Sequence, residues 1–262
     1  MLIGASEIII RSVELFKQHW KRFLLYVFLF VISSVLLVVL QVWLFPEGEV
    51  VIGEVAQIDS TTGALLVLRA VWGLLMLWLY LAFIRFALDC YEQGKPEGVL
   101  VDLEESVKLI VPAIVAAVLS TLATTLGFLL LIIPGIIVWV WLEFSLYEVA
   151  GEEKGGLEAL KGSKKLVEGR WWQVLWRLVF PVLVFTVAIA LIQGLFVFFL
   201  GLFFSNSLAL SLIPGLVGVA LMPLPFLAVV ILYSELKKTP AEQTEPHPDP
   251  EKGESEHNVV AS

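Results

Sequence analysis

The sequence has one cysteine, three histidines and little charge: only 16% of its 262 residues are Asp, Glu, Lys or Arg. A soluble domain carries about a quarter. The lone thiol, Cys90, excludes an intramolecular disulfide framework. It falls just past a candidate span, where an inert thiol is expected rather than a lipidated one. His247 and His257 lie near the C-terminus and His19 near the N-terminus, so no His/Cys/carboxylate cluster has metal-ligand spacing. No metal or other cofactor is expected. Neither a P-loop nor a GxSxG nucleophile motif occurs, and the apolar runs leave no room for a soluble catalytic domain. The chain is therefore not expected to be an enzyme, and no nucleic-acid partner is expected.

What is present is apolar: 59% of the residues are hydrophobic. Several runs exceed the roughly 20 residues that cross a hydrocarbon core of about 30 Å. The fold expected is an all-α, polytopic helical bundle with six spans, at about 23–45, 64–88, 109–127, 129–149, 174–200 and 208–234. The first apolar run follows a charged segment and is too long for the core of a cleavable signal. Residues 46–62 hold Glu47, Glu49, Glu54 and Asp59 with no Lys or Arg. The segments on the other side, 1–22, 89–108, 150–173 and 235–262, hold 14 of the 17 basic residues. The positive-inside rule then places both termini in the cytoplasm, with the chain in the plasma or inner membrane. From Thr239 onward six acidic residues face one lysine, among prolines and polar residues, so 236–262 is expected to be a disordered acidic tail.

Between the spans, short amphipathic stretches recur. Ile9, Val13, Phe16 and Trp20 share one helical face over residues 1–22, with Arg11, Glu14 and Lys17 between them. A second interface helix is expected over 157–172. The stretch Ser12 to Trp20 aligns with Ser163 to Trp171, matching Ser, Leu and Trp at equal spacing, and Ser106-Val107-Lys108-Leu109 is a weaker third copy. Surface helix, span out, span back is thus used three times, which either a degenerate repeat of hairpins or convergence on what an interface requires would produce. Trp20, Trp171 and Trp172 are the expected anchors at the headgroup level. Pro134-Gly135 and Pro214-Gly215 mark expected helix breaks early in the fourth and sixth spans. The hairpin apex before the fourth span lies either near Gly127 or at Pro134-Gly135.

Two constellations stand out. Ala113, Ala117, Thr121 and Thr125 recur every fourth residue in the third span, which suits either close helix packing or a polar path. Arg85, Glu143, Glu148 and Arg177 lie at similar depth and are a candidate buried ionic belt, since charge inside a membrane is costly without a partner. Glu143, flanked by Trp139, Trp141 and Phe144, is the deepest of them. A dry ion pair there would fit scaffolding, and Glu143→Gln would then destabilise the bundle. A cavity joining it to Thr121 or Thr125 would fit transport.

The stretch Gly127 to Ile136 (GFLLLIIPGI), with Glu158-Ala159-Leu160-Lys161-Gly162-Ser163, Leu166, Gly169 and Trp171-Trp172, resembles the prokaryotic membrane-domain family found fused to some glycerophosphoryl diester phosphodiesterases. It is similar also to six-span inner-membrane proteins of unknown function. The likeness is clearest from about 105 to 235. It implies a helical bundle in the cytoplasmic membrane with no catalytic residues of its own. The function expected is membrane scaffolding, or contact with lipid, a membrane-protein partner or a second copy of the chain. The alternative is a small-solute or lipid transporter or channel that uses Glu143 and the polar face of the third span.

Overall fold

A chain buried in an apolar surrounding can satisfy its backbone only within helices or closed barrels, and each apolar run here is helical. The computed structural model describes residues 2–44, 60–94, 98–203 and 207–239. These form α1 (Ala5–Leu44), α2 (Ser60–Glu92), α3 (Val99–Val107), α4 (Ile110–Leu130), α5 (Ile132–Leu142), α6 (Ser145–Glu152), α7 (Gly156–Val167), α8 (Trp171–Phe203), α9 (Ser207–Leu221) and α10 (Pro223–Lys238). No strand occurs among the described residues. Six helical segments are long and apolar enough to cross a membrane, with α5–α6 and α9–α10 each counting as one. The acidic loop over 46–59 and the tail beyond Thr239 lie outside the described residues.

The surface segment at the N-terminus and the first span are one helix, bent where His19 leaves helical geometry (φ −120°, ψ 22°). The two return spans are broken, and not where Pro-Gly was expected to break them. Between α4 and α5 the chain turns at Leu131, which is extended (φ −166°, ψ 157°). Pro134 sits in the first turn of α5, where a missing N–H costs nothing because no acceptor precedes it. Gly135 has a different task. A Cβ there would overlap the Phe128 ring and come within 2.8 Å of the Phe128 Cα, and one at Gly127 would come within 3.0 Å of the Gly135 Cα. The two glycines, four residues either side of Leu131, let α4 and α5 touch backbone to backbone. The hairpin apex is therefore between the two expected positions.

Pro214 lies inside α9 without ending it, and Gly215 has open space around it. The sixth span breaks instead at Met222, just before Pro223 opens α10. Pro223 and Pro225 cannot donate back to the preceding turn, and the Met222 N–H bonds three residues back, to the Val219 carbonyl at 3.2 Å.

The core lies at one end of the bundle. Residues 81–84, 86–88, 147–150 and 227–234 are all buried, on α2, α6 and α10. Phe144, Tyr147 and Tyr233 stack there with centroids 5.7–6.2 Å apart. Ion pairs gather the chain at this same end: Arg85 with Glu105 and Glu153, Lys237 with Glu152, and Arg11 with Glu235. Toward the opposite end, α1, α2, α4 and α8 carry large exposed apolar side chains, among them Val38, Val42, Val67, Leu129 and Phe198. Such faces suit a surrounding of lipid tails.

Each surface helix packs on a return helix: α3 on α2, α7 on α6, and the start of α1 on α10. Ser12, Ser106 and Ser163, the aligned serines, are all completely buried. The residue before each faces an ionisable group on that return helix. Arg11 reaches Glu235, Glu105 pairs with Arg85, and Gly162 lies against the Glu148 carboxylate with no space for a side chain.

Candidate functional site

The break between α5 and α6 builds the candidate site. Glu143 ends α5 and Phe144 departs from helical geometry (φ −87°, ψ 6°), so two backbone groups lose their intrahelical partners. Ser163 on α7 supplies them. The Phe144 N–H donates to the Ser163 Oγ at 3.1 Å, and the Ser163 hydroxyl donates to the Trp141 carbonyl at 2.6 Å. The opposite side of the break carries Glu143 inward.

Glu143 lines two openings at once. One, of about 370 Å³, is bounded by Ala117, Ser120, Thr121, Thr124 and Thr125 of α4 together with Phe128, Leu142 and Ser145. The other, of about 720 Å³, runs between α8, α9 and α10 along Leu178, Val182, Leu183, Thr186, Ile189 and Ala190. Tyr80, Trp139 and Tyr147 border both. The Tyr80 and Tyr147 hydroxyls are 3.1 Å apart. Tyr80 also borders a third, apolar opening of about 440 Å³ between α1, α2 and α10. It is the side chain on which the three spaces meet.

The four residues of the expected belt do not come together. Arg85 pairs with Glu105 and, at 3.1 Å, with Glu153. Glu148, with 2% of its side chain exposed, pairs with Lys154. Arg177 donates to the Ile3 carbonyl at 2.6 Å and to the Gln173 carbonyl at 3.0 Å. Among the described residues no Lys or Arg lies within ion-pair distance of Glu143. Equal depth in a membrane says nothing about the direction in which a residue points, and these four point to four different neighbours.

The fourth-residue stripe of α4 divides. Ala113 and Ala116 are buried at the basic end, where Gly156 of α7 approaches so closely that a Cβ would overlap Val115 and meet the Pro112 carbonyl at 2.9 Å. Ala117, Thr121 and Thr125 line the smaller opening. Small residues thus serve packing in one half and a polar wall in the other. Of the three tryptophans read as anchors, Trp20 and Trp172 are exposed and Trp171 is half-buried.

Sequence reading passed over Tyr80, Trp139 and Tyr147 as members of this site, because aromatic residues in apolar runs carry no mark of their own. Arg170, in the basic segment 150–173, is a further residue whose place the sequence did not reveal. Arg170 is buried and donates to the carbonyls of Leu166, Leu236 and Thr239, so it closes the C-terminal end of α10. At the basic end, hydrogen bonds from Lys108 and Arg85 hold the Glu153 carboxyl below its ordinary value near 4.5.

Residues 97–234 match a family described as a domain of unknown function, DUF7847. No curated protein and no solved structure matches the chain. The match runs from the start of α3 into α10, takes in the site on α4, α5 and α8, and covers more than half of the chain; the protein belongs to the DUF7847 family.

Proposed function

We propose that the protein is a multi-pass membrane protein that admits a small molecule, a lipid or a solute, into the cavity around Glu143, and does so without catalytic chemistry of its own. One observation carries this reading: a carboxyl in an apolar span, with no counter-ion among the described residues, faces a hydroxyl-lined space on one side and an apolar space on the other. Charge in such a place is costly unless it has work to do. The two spaces fall in the range of about 300–1,000 Å³ that small ligands occupy. The basic end faces the cytoplasm in this reading. Thiol labelling of a cysteine placed at Lys161 from the outside of sealed cells would contradict that orientation.

Ala190 tests the cavity. It lines the larger space and is exposed, so Ala190→Trp fills the space without displacing packed atoms. In vesicles carrying the protein, labelled dodecyl-chain amphiphiles with neutral, anionic and cationic heads are offered in turn. Saturable binding of at least one is expected for the native chain, and its loss is expected in Ala190→Trp. Saturable binding unchanged by that substitution would overturn the reading.

Scaffolding is a second reading, and the outward face of α7 favours it. Lys161, Lys164 and Lys165 are exposed there beside Leu157, a pattern that suits anionic headgroups or a membrane-protein partner.

A further inference from the structure

We infer that the ligand of the larger cavity is an amphiphile whose head is positively charged, its charge held at Glu143 and its apolar part along α8. The inference rests on the cavity reading above. Glu143 is the sole acidic or basic side chain lining that space. Six of the acidic groups around the basic end of the bundle, Glu7, Glu105, Glu148, Glu152, Glu153 and Glu235, pair with Lys or Arg, whereas Glu143 lies deeper, on the wall of the cavity. Glu143 has no such partner among the described residues, so the cation that would balance it comes from outside the chain.

The surroundings favour a cation further. Trp139, Tyr80 and Tyr147 border the same space, and aromatic faces attract ammonium groups. A quaternary ammonium suits such a wall because it has no N–H to satisfy and needs only an opposite charge and aromatic faces. Away from this head site the lining is mostly apolar, with Leu178, Val182, Leu183 and Ile189 along α8 and Thr186 and Gln193 as its polar members. An anionic head would meet the Glu143 charge without compensation. A neutral head would leave that charge unbalanced.

Three probes of equal chain length separate head from tail: dodecyltrimethylammonium, dodecyl sulfate and uncharged lauroylglycerol. Each is measured as the saturable, competable fraction bound to the full chain in vesicles of an uncharged galactolipid, which offers no ammonium head to compete with the probes. The native protein is expected to bind the cationic probe at least tenfold more tightly than the neutral one and to show no saturable binding of the anionic one. Glu143→Gln should bring the cationic probe to the level of the neutral probe while leaving the neutral probe unchanged. Thr186→Lys provides a second route, since Thr186 is exposed and lines the same space. Its ammonium supplies the missing cation, and the preference should vanish there as well. Equal binding of all three probes, or a cationic preference that survives both substitutions, would overturn the charge inference while leaving the cavity reading standing, provided that Ala190→Trp abolishes the binding. Absence of saturable binding by every probe would remove both.

Discussion

Ser163 joins the surface helix α7 to the break beside Glu143 through two hydrogen bonds on a side chain that has no exposed surface. Ser163→Ala would leave the Phe144 N–H and the Trp141 carbonyl without partners in a buried position. The cost of stranding such groups is about 1–3 kcal/mol, so a drop in thermal midpoint in detergent is expected, with the substitution Ser106→Ala as the comparison. Ser106 bonds only to the Asp102 carbonyl of its own helix, so its loss strands no group on another element. Equal losses for the two serines would show that Ser163 does not hold the break. Glu143→Gln belongs to the opposite class. It removes no ion pair, and its near-equal shape should leave the bundle folded, which reverses the expectation drawn from a buried belt.

At the scale of elements, the Pro-Gly pairs separate into one that is needed and one that is not. Gly135→Ala would force α4 and α5 apart at Phe128, whereas Gly215→Ala meets open space. Loss of stability is expected for the first, on the scale of about 1–3 kcal/mol for overpacking. The second should be neutral, or stabilising by up to about 1 kcal/mol, because alanine favours a helix over glycine. Paired thermal unfolding curves of the two variants check this. The helices themselves were legible from hydropathy, since a long apolar run has no other way to satisfy its backbone. The breaks were less so. Leu131 carries no turn signal, and the turn there follows from two glycines four residues away on either side. At Met222 the signal existed in Pro223 but was outweighed by the echo of Pro134-Gly135 at Pro214-Gly215, two pairs with one spelling and two environments.

Across the whole molecule, buried side chains concentrate where the ion pairs lie, and exposed apolar ones concentrate toward the opposite end, so the bundle has a closed base. The closed base follows from sequence: the ends of the return helices carry Tyr, Glu and Lys that stack and pair, and the surface helices carry the buried serines aligned by the repeat. Glu143 was legible as a carboxyl too deep to ignore. Its freedom from Arg85 and Arg177 was not, because depth along a helix is readable from sequence while the direction around it depends on how helices are arranged. The three aromatic residues around it were hidden for the same reason. From these features comes the central claim, that the space between α5, α8 and α10 holds a ligand against Glu143. Photolabelling tests it most directly, using a dodecylammonium that carries a diazirine next to its head, followed by peptide mapping. The expected result is labelling confined to residues 139–147 and 178–193 and suppressed by excess unlabelled amphiphile. Label spread over the apolar outer faces at Val38, Val42 and Leu129, with no suppression by competitor, would contradict it.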